Sequence, residues 1–137
     1  MLAGCANMGA QKTYGRDFAR TSGFTEFVAE PNPTAPNVFV VGSQVVIDQE
    51  PIRPPGTGAG DPITIYFALK EGGDWVFRDH GIEIQGHPGF CDPTSPFVVR
   101  CQYSRPVPGT VYKYNVRVWS KATPHVSVKD LDPTIMN

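Results

Sequence analysis

Two histidines and a cysteine lie close together near the middle of the sequence. His80 follows Asp79, and His87 and Cys91 come shortly after. Imidazole and thiolate groups are ligands that zinc and copper favour, so His80 and His87 are the candidate ligands of a metal site. Their spacing matches no known metal-binding loop, and His125 stands apart. We therefore expect ordinary loop histidines and no cofactor, with copper or zinc binding as an alternative.

Other catalytic patterns find little support. The sequence has no Gly-x-Ser-x-Gly elbow for a nucleophilic serine. Asp74 can be paired with Asp79 or Glu83, but carboxylates in turns are typical of a solvated surface rather than of an acid and a base. Residues 56–60 are glycine-rich but lack the lysine and the helix that follow a phosphate-binding loop. We expect no enzyme.

The bulk composition favours a β protein. The chain has 137 residues with 14 Gly and 14 Pro, which are poor helix formers, and short runs rich in Val, Ile, Thr, Phe and Tyr lie between them. The net charge is -1, and Lys and Arg are scattered singly, which argues against a nucleic-acid partner. No apolar run reaches the length of about 20 residues that a membrane-spanning helix needs.

Three cysteines raise the question of how they pair. They are Cys5, Cys91 and Cys101, and an odd number in an exported protein requires a separate role for one of them. Leu2-Ala3-Gly4-Cys5 resembles the lipobox of bacterial lipoproteins, and a polar stretch follows it. The resemblance implies cleavage before Cys5 and acyl chains on Cys5 that anchor the protein to a membrane.

The lipobox resemblance also implies a place in the cell. Ala6 follows the cysteine where an Asp would hold such a protein at the inner membrane, so the resemblance points to the periplasmic side of the outer membrane. The basic and apolar signal region that precedes a lipobox is expected to have been trimmed from the chain. With Cys5 lipidated, Cys91 and Cys101 are left as a disulfide pair, which an oxidising compartment permits; the alternative is two free thiols.

Alternating apolar residues predict the strands. Residues 63–69 place four apolar side chains on one face, and residues 110–119 alternate most regularly. Gly42-Ser43 separates two β-rich runs and suits a hairpin; the alternative is one long strand with a bulge at Gly42. Residues 53–62 and 92–96 are predicted to be a loop and a turn.

Residues 108–118 resemble the late strand of a fibronectin type III or related immunoglobulin-like domain, in which Tyr112 would be the tyrosine corner. Trp75 is a candidate for the early tryptophan of such domains. The resemblance implies a single immunoglobulin-like antiparallel β-sandwich of about seven strands. We assign residues 1–22 to the lipobox and a flexible tether, 23–129 to the sandwich and 130–137 to a C-terminal tail.

A non-catalytic envelope module is the function that these features favour. Residues 63–118 are also similar to small lipoproteins of Gram-negative bacteria, a similarity that implies no activity. We expect the module to contact another envelope protein or a glycan through its loops, with Trp75, Phe90 and Arg53 as a possible binding surface. Inhibition of a secreted enzyme such as lysozyme is a further alternative.

Overall fold

Every regular element of the described structure is a β-strand. The computed structural model of the chain describes residues 31–41, 44–70, 74–123 and 131–137. Its strands are β1 (Asn37–Val41), β2 (Gln44–Ile47), β3 (Pro62–Leu69), β4 (Trp75–Ile84), β5 (Cys91–Ser95), β6 (Val98–Ser104), β7 (Val111–Ser120) and β8 (Thr134–Met136). The described part of the chain offers no helix of the length and apolarity needed to cross a membrane. The predicted all-β sandwich is confirmed.

The strands form two sheets. One has the order β2-β1-β3-β6-β5 and the other the order β4-β7-β8. Read as β1-β3-β6-β5 facing β4-β7-β8, this is the ABED and CFG order of an immunoglobulin constant-type domain, with β2 added outside β1. The pairing of β1 with β3 is parallel, which departs from the all-antiparallel prediction, and the other strand pairs are antiparallel.

The core lies between the sheets and follows the predicted alternation. Along β3 the side chains of Ile63, Ile65, Phe67 and Leu69 are buried while their neighbours point outward. β7 contributes Tyr114, Val116 and Val118 to the hydrophobic core, and the Tyr114 ring packs against Phe67 at a centroid distance of 5.3 Å. Each large side chain that is fully buried stabilises the fold by about 1.5–3 kcal/mol, so this alternation is what holds the two layers together.

The C-terminal residues belong to the sandwich, which corrects the predicted tail at 130–137. Thr134–Met136 form β8 and pair with the start of β7. Leu131 and Ile135 are buried in the core. Alternate residues of this segment face inward, but Asp132 and Pro133 interrupt the apolar pattern and concealed it. The sandwich therefore extends past the predicted boundary at residue 129 and includes residues 131–137.

The disulfide between Cys91 and Cys101 is present and crosses two neighbouring strands. The predicted turn at 92–96 is wrong, because Cys91–Ser95 is strand β5 and pairs with β6. The Gln102 amide donates to the Phe90 carbonyl at 2.8 Å. Phe90 and Gln102 are therefore a hydrogen-bonded pair of the ladder. The next pair, Cys91 and Cys101, is non-hydrogen-bonded, and side chains approach most closely at such positions.

Several sequence predictions fall outside the described residues. They are the lipobox with Cys5, the tether at 1–22, the hairpin turn at Gly42-Ser43 and His125. The antiparallel hairpin that Gly42-Ser43 would connect is present as β1 and β2.

Candidate functional site

A bulge interrupts β4 where it pairs with β7. Phe77 faces Val118, and the next paired residue of β4 is Ile82, which faces Val116. Five steps along β4 therefore match two steps along β7, and the intervening residues leave the regular ladder. His80 in this segment has a φ of 55°, in the left-handed region that non-glycine residues rarely adopt. Bulges of this kind redirect side chains and are common at sheet edges and beside functional sites.

Gly81 makes the bulge sterically possible. A Cβ atom on Gly81 would lie 2.7 Å from the Cβ of Phe77 and 2.9 Å from the carbonyl oxygen of Arg78. Both distances are shorter than van der Waals contact, so a side chain at Gly81 would push the bulge apart. In the sequence, Asp79-His80-Gly81 separates two β-rich runs, which marks an interruption but not the shift in register.

Arg117 fastens the bulge from the neighbouring strand. Its Nη1 donates to the His80 carbonyl oxygen at 3.1 Å and to Glu83 Oε1 at 3.2 Å. One guanidinium therefore joins the bulge to Glu83, which lies in the regular ladder beyond it. In the sequence, Arg117 is one of the polar residues in the alternating run 110–119, and no local feature singles it out.

A groove opens between the edge strands of the two sheets. β4 supplies Phe77 to His80 along one wall, and β5 with the turn after it supplies Cys91, Asp92, Pro93, Ser95 and Pro96 along the other, with Pro88 completing the lining. Its volume is about 530 Å³, which lies within the range of ligand-binding pockets. The Phe77 amide donates to the Pro96 carbonyl at 2.9 Å and joins the two walls.

Two acidic residues belong to the lining of the groove. Asp79 and Asp92 are exposed, and neither forms a hydrogen bond or an ion pair with the described part of the chain. The guanidinium carbon of Arg78 lies 5.8 Å from the ring centroid of Trp119, so its charge is directed to an aromatic face on the sheet surface. The lining therefore contains two acidic residues and one basic residue, and Asp92 lies opposite Arg100 in the β5–β6 ladder.

The predicted metal ligands are not gathered into one site. His80 lies in the bulge near Arg117, whereas the His87 ring contacts Tyr112 at the start of β7, so the two imidazoles lie at different levels of that strand. Cys91 is in a disulfide and has no thiolate to offer. Among the described residues, no three His, Cys, Asp or Glu side chains are placed to hold a metal ion.

Phe90 is enclosed by other rings. It stacks on His87 at 4.6 Å and on Tyr103 at 5.3 Å, both nearly parallel, and Tyr112 meets Tyr103 edge-on at 5.5 Å. Burial raises the pKa of the Tyr103 hydroxyl well above its usual value, and this hydroxyl lies 2.8 Å from Asn137 Oδ1. The faces of Phe90 are therefore already covered, and it does not present a flat platform to a sugar.

Tyr112 lies at the strand position expected of a tyrosine corner but lacks the hydrogen bond that defines one among the described residues. It is the second residue of β7, the strand equivalent to F in an immunoglobulin domain. Within the described residues its hydroxyl makes no hydrogen bond to the backbone upstream. The tie at this end of the sandwich comes instead from Tyr103 to Asn137.

The other two residues of the predicted surface lie far apart. Trp75 opens β4 opposite Ser120, at the end of β7 remote from Phe90, and is half-buried against the core. Arg53 is exposed, with Nη1 3.1 Å from the sulfur of Met136 in β8. Trp75, Phe90 and Arg53 therefore do not form one surface.

The predicted adaptable loop at 53–62 is held in place from inside. Arg105 is only 5% exposed, and its Nη2 donates to the carbonyl oxygens of Pro54 and Pro55 at 3.0 and 2.6 Å. The Gly58 amide donates to the Asp61 carboxylate at 3.0 Å. These bonds fix the backbone of the loop, so the groove between β4 and β5 is the better candidate for ligand contact.

Comparison with protein-family models gives no match, and comparison with curated proteins gives none either. The candidate site therefore rests on its own geometry and chemistry.

Proposed function

We propose that this protein is a non-catalytic binding module of the bacterial cell envelope, held at the outer membrane by lipid on Cys5, that contacts another envelope protein. The observation that carries the proposal is the groove of about 530 Å³ between β4 and β5, which are edge strands of the two sheets in the described part of the chain. Ligand sites of this size combine an apolar lining with a few polar groups, as this groove does.

The rigidity of the walls supports a binding role. The disulfide at Cys91 ties β5 to β6, and Arg117 fastens the bulge of β4 to β7. A preformed groove loses little conformational entropy when a ligand binds, and that entropy is a major part of the free-energy cost of association. With Cys91 in the disulfide, the groove also lacks the free thiolate that a cysteine nucleophile would need.

The lining favours a protein over a glycan. Sugar rings bind on the exposed faces of aromatic side chains. Phe77 is the aromatic residue of the groove and is 7% exposed, and the faces of nearby Phe90 are covered by His87 and Tyr103. Proline and carboxylate groups remain, and these suit a peptide surface.

The lipid anchor rests on the lipobox resemblance of Leu2-Ala3-Gly4-Cys5 and agrees with a disulfide-bonded domain, since disulfides persist in the periplasm. Mass spectrometry of the protein recovered from bacterial membranes tests it. We expect acyl chains on Cys5 and release of a Cys5→Ser variant into the soluble periplasm. An unmodified Cys5 in the membrane fraction would remove the anchor from the proposal.

Two matched tryptophan variants test the groove. Pro88 and Pro108 are both exposed prolines in turns, but only Pro88 lines the groove. In affinity capture from envelope extract, we expect a protein partner to be retained by the wild type and by Pro108→Trp and lost by Pro88→Trp. Thermal melting checks that both variants fold. Equal capture by Pro88→Trp, or capture of nothing by the wild type, would contradict the proposal.

A further inference from the structure

The outer face of the larger sheet presents an exposed aromatic ring. Tyr66 lies in β3, the middle strand of that sheet, and points away from the core that its neighbours Ile65 and Phe67 enter. It is 45% exposed and is the one aromatic residue that the described part of the chain leaves exposed. Within the described residues its ring meets no other ring and no cation. An open aromatic face is what a sugar ring stacks on, and the groove lacks one.

A guanidinium without a partner lies beside this ring. Arg100 of β6 stands opposite Tyr66 in the antiparallel ladder, and the side chains of such a pair lie on one face with Cβ atoms about 5 Å apart. The Nε atom of Arg100 is buried without a hydrogen-bond partner, and the guanidinium forms no ion pair among the described residues. The guanidinium therefore has donors available for a ligand, and a ligand that brings an acceptor would offset the cost of leaving a donor unpaired.

Opposite charges lie side by side on this face. Asp92 of β5 stands opposite Arg100 on its other side, so Tyr66, Arg100 and Asp92 form a row across three strands. Neighbouring strands are about 4.8 Å apart, so the row spans about 10 Å. Asp92 and Arg100 do not form an ion pair. Because their charges largely cancel at a distance, the row suits an uncharged ligand with hydroxyl and amide groups better than an anion.

The pairs on either side of this row differ in polarity. Ala68 and Val98 form the next outward-facing pair of β3 and β6 on one side, and both are half-buried. Thr64 and Gln102 form the corresponding pair on the other side. The face therefore passes from hydroxyl and amide groups, across the ring of Tyr66, to methyl groups. An N-acetylated sugar carries the matching set, because it has hydroxyls, an amide and a methyl group on one ring.

We propose that this outer face of β3, β6 and β5 binds a chain of N-acetylated sugars. One sugar ring stacks on Tyr66, its acetamido carbonyl accepts a hydrogen bond from the Arg100 guanidinium, and its methyl group packs on Ala68 and Val98. A hydrogen bond from a charged donor is of the stronger class, and a paired sheet holds these side chains in place before the ligand arrives. Neither Tyr66 nor Arg100 lines the groove, so this surface goes beyond the proposed function by adding a glycan contact to a protein-binding module.

Titration with two matched sugars tests the proposal. The probes are chitotetraose, a chain of N-acetylglucosamine, and cellotetraose, which has a hydroxyl in place of each acetamido group. Each is added to the full chain and followed by two-dimensional NMR. Chitotetraose is expected to shift the amide signals of 64–68 and 98–102. Cellotetraose should bind about tenfold more weakly, because it lacks the acceptor for Arg100. Equal affinities for the two sugars would overturn the proposal.

Single substitutions locate the contact. Tyr66→Ala should weaken chitotetraose by about three- to tenfold, whereas Tyr66→Phe retains the ring and should keep the affinity. Arg100→Gln should weaken it by about tenfold. Val111 is 47% exposed on β7 of the other sheet, so Val111→Ala is the matched control and should change nothing. Thermal melting checks that each variant folds. Equal losses from Tyr66→Ala and Val111→Ala would contradict the proposed contact.

The remaining outcomes concern other ligands. The acetylated and amidated pentapeptide Val-Glu-Val-Glu-Val is the probe for an acidic protein segment. If it shifts the same amides and chitotetraose does not, Arg100 serves a protein and the sugar proposal fails. Chitotetraose that leaves these amides in place at about 10 mM overturns it as well. None of these results bears on capture by Pro88→Trp, which tests the groove alone.

Discussion

β4 and β7 are neighbours of equal length, yet they do different work. Each has ten residues, and they pair with each other in the smaller sheet. From Tyr114 to Ser120, every second side chain of β7 is buried. β4 loses that alternation at Arg78 to Gly81, and Phe77 to His80 form one wall of the groove. The regular strand β7 contributes side chains to the core, and the interrupted strand β4 contributes side chains to the candidate binding groove.

The two strands should differ most in how much a change of side-chain polarity lowers the free energy of unfolding. Val116 of β7 is fully buried, so Val116→Asp places a charge in the core and should abolish folding, at a cost above about 4 kcal/mol. Asp79→Val in the bulge should change the free energy of unfolding by less than about 0.5 kcal/mol. Urea unfolding followed by circular dichroism measures both. A stable Val116→Asp variant would mean that β7 is not the centre of the core.

Sequence predicted the regular strand better than the interrupted one for a physical reason. The alternation of β7 is a property of its own residues, so Tyr114, Val116 and Val118 could be assigned to the core from their spacing. The bulge depends on the register between two strands and on the contact of Gly81 with Phe77, which no local pattern encodes. The groove likewise needs β5, and Pro93 made that edge strand look like a turn.

Removing the disulfide should have the next largest effect on the free energy of unfolding. The bond joins β5, the groove wall opposite β4, to β6. Replacing both Cys91 and Cys101 by Ala should lower the free energy of unfolding by about 3 kcal/mol, because the short loop between them is no longer closed in the unfolded chain. A reducing agent should destabilise the wild type by the same amount and leave the double variant unchanged. If the reducing agent destabilises both alike, the effect does not come from this bond.

Adding a side chain at Gly81 in the bulge should lower the free energy of unfolding moderately. Gly81→Ala forces a Cβ against Phe77 and the Arg78 carbonyl and should cost about 1–3 kcal/mol. Gly89 has nothing within 4 Å of its Cβ position, so Gly89→Ala is the matched control and should stay within about 0.5 kcal/mol. Thermal unfolding compares the two. Equal melting temperatures would show that the bulge relaxes without loss, and the distinction between β4 and β7 would then be weaker than proposed.

Two basic residues of β7, Arg117 and Lys113, should differ in how much they stabilise the fold. Arg117 binds the His80 carbonyl and forms an ion pair with Glu83, in which the two side chains are 24% and 30% exposed. Lys113 forms an ion pair with Asp132, in which the two side chains are 51% and 36% exposed. Arg117→Met should cost about 1 kcal/mol and speed hydrogen exchange in the bulge, and Lys113→Met should cost less than about 0.5 kcal/mol. Unchanged exchange at 78–81 in Arg117→Met would show that the guanidinium does not hold the bulge.

The smallest effect concerns the other neighbour of β7. Glu50 fastens β8 by accepting hydrogen bonds from the amide and hydroxyl of Thr134 at 3.0 and 3.1 Å, and burial, opposed by those hydrogen bonds, raises the pKa of Glu50 above 4.5. The folded state then binds a proton more readily than the unfolded state, so the contribution of Glu50 is complete below about pH 4.5 and is lost as pH rises through the folded pKa. Urea unfolding between about pH 4 and pH 7 should show a downward slope that Glu50→Gln removes. An unchanged slope in Glu50→Gln would assign it to other groups, and β8 would then depend on its backbone ladder and on Ile135 rather than on this carboxyl.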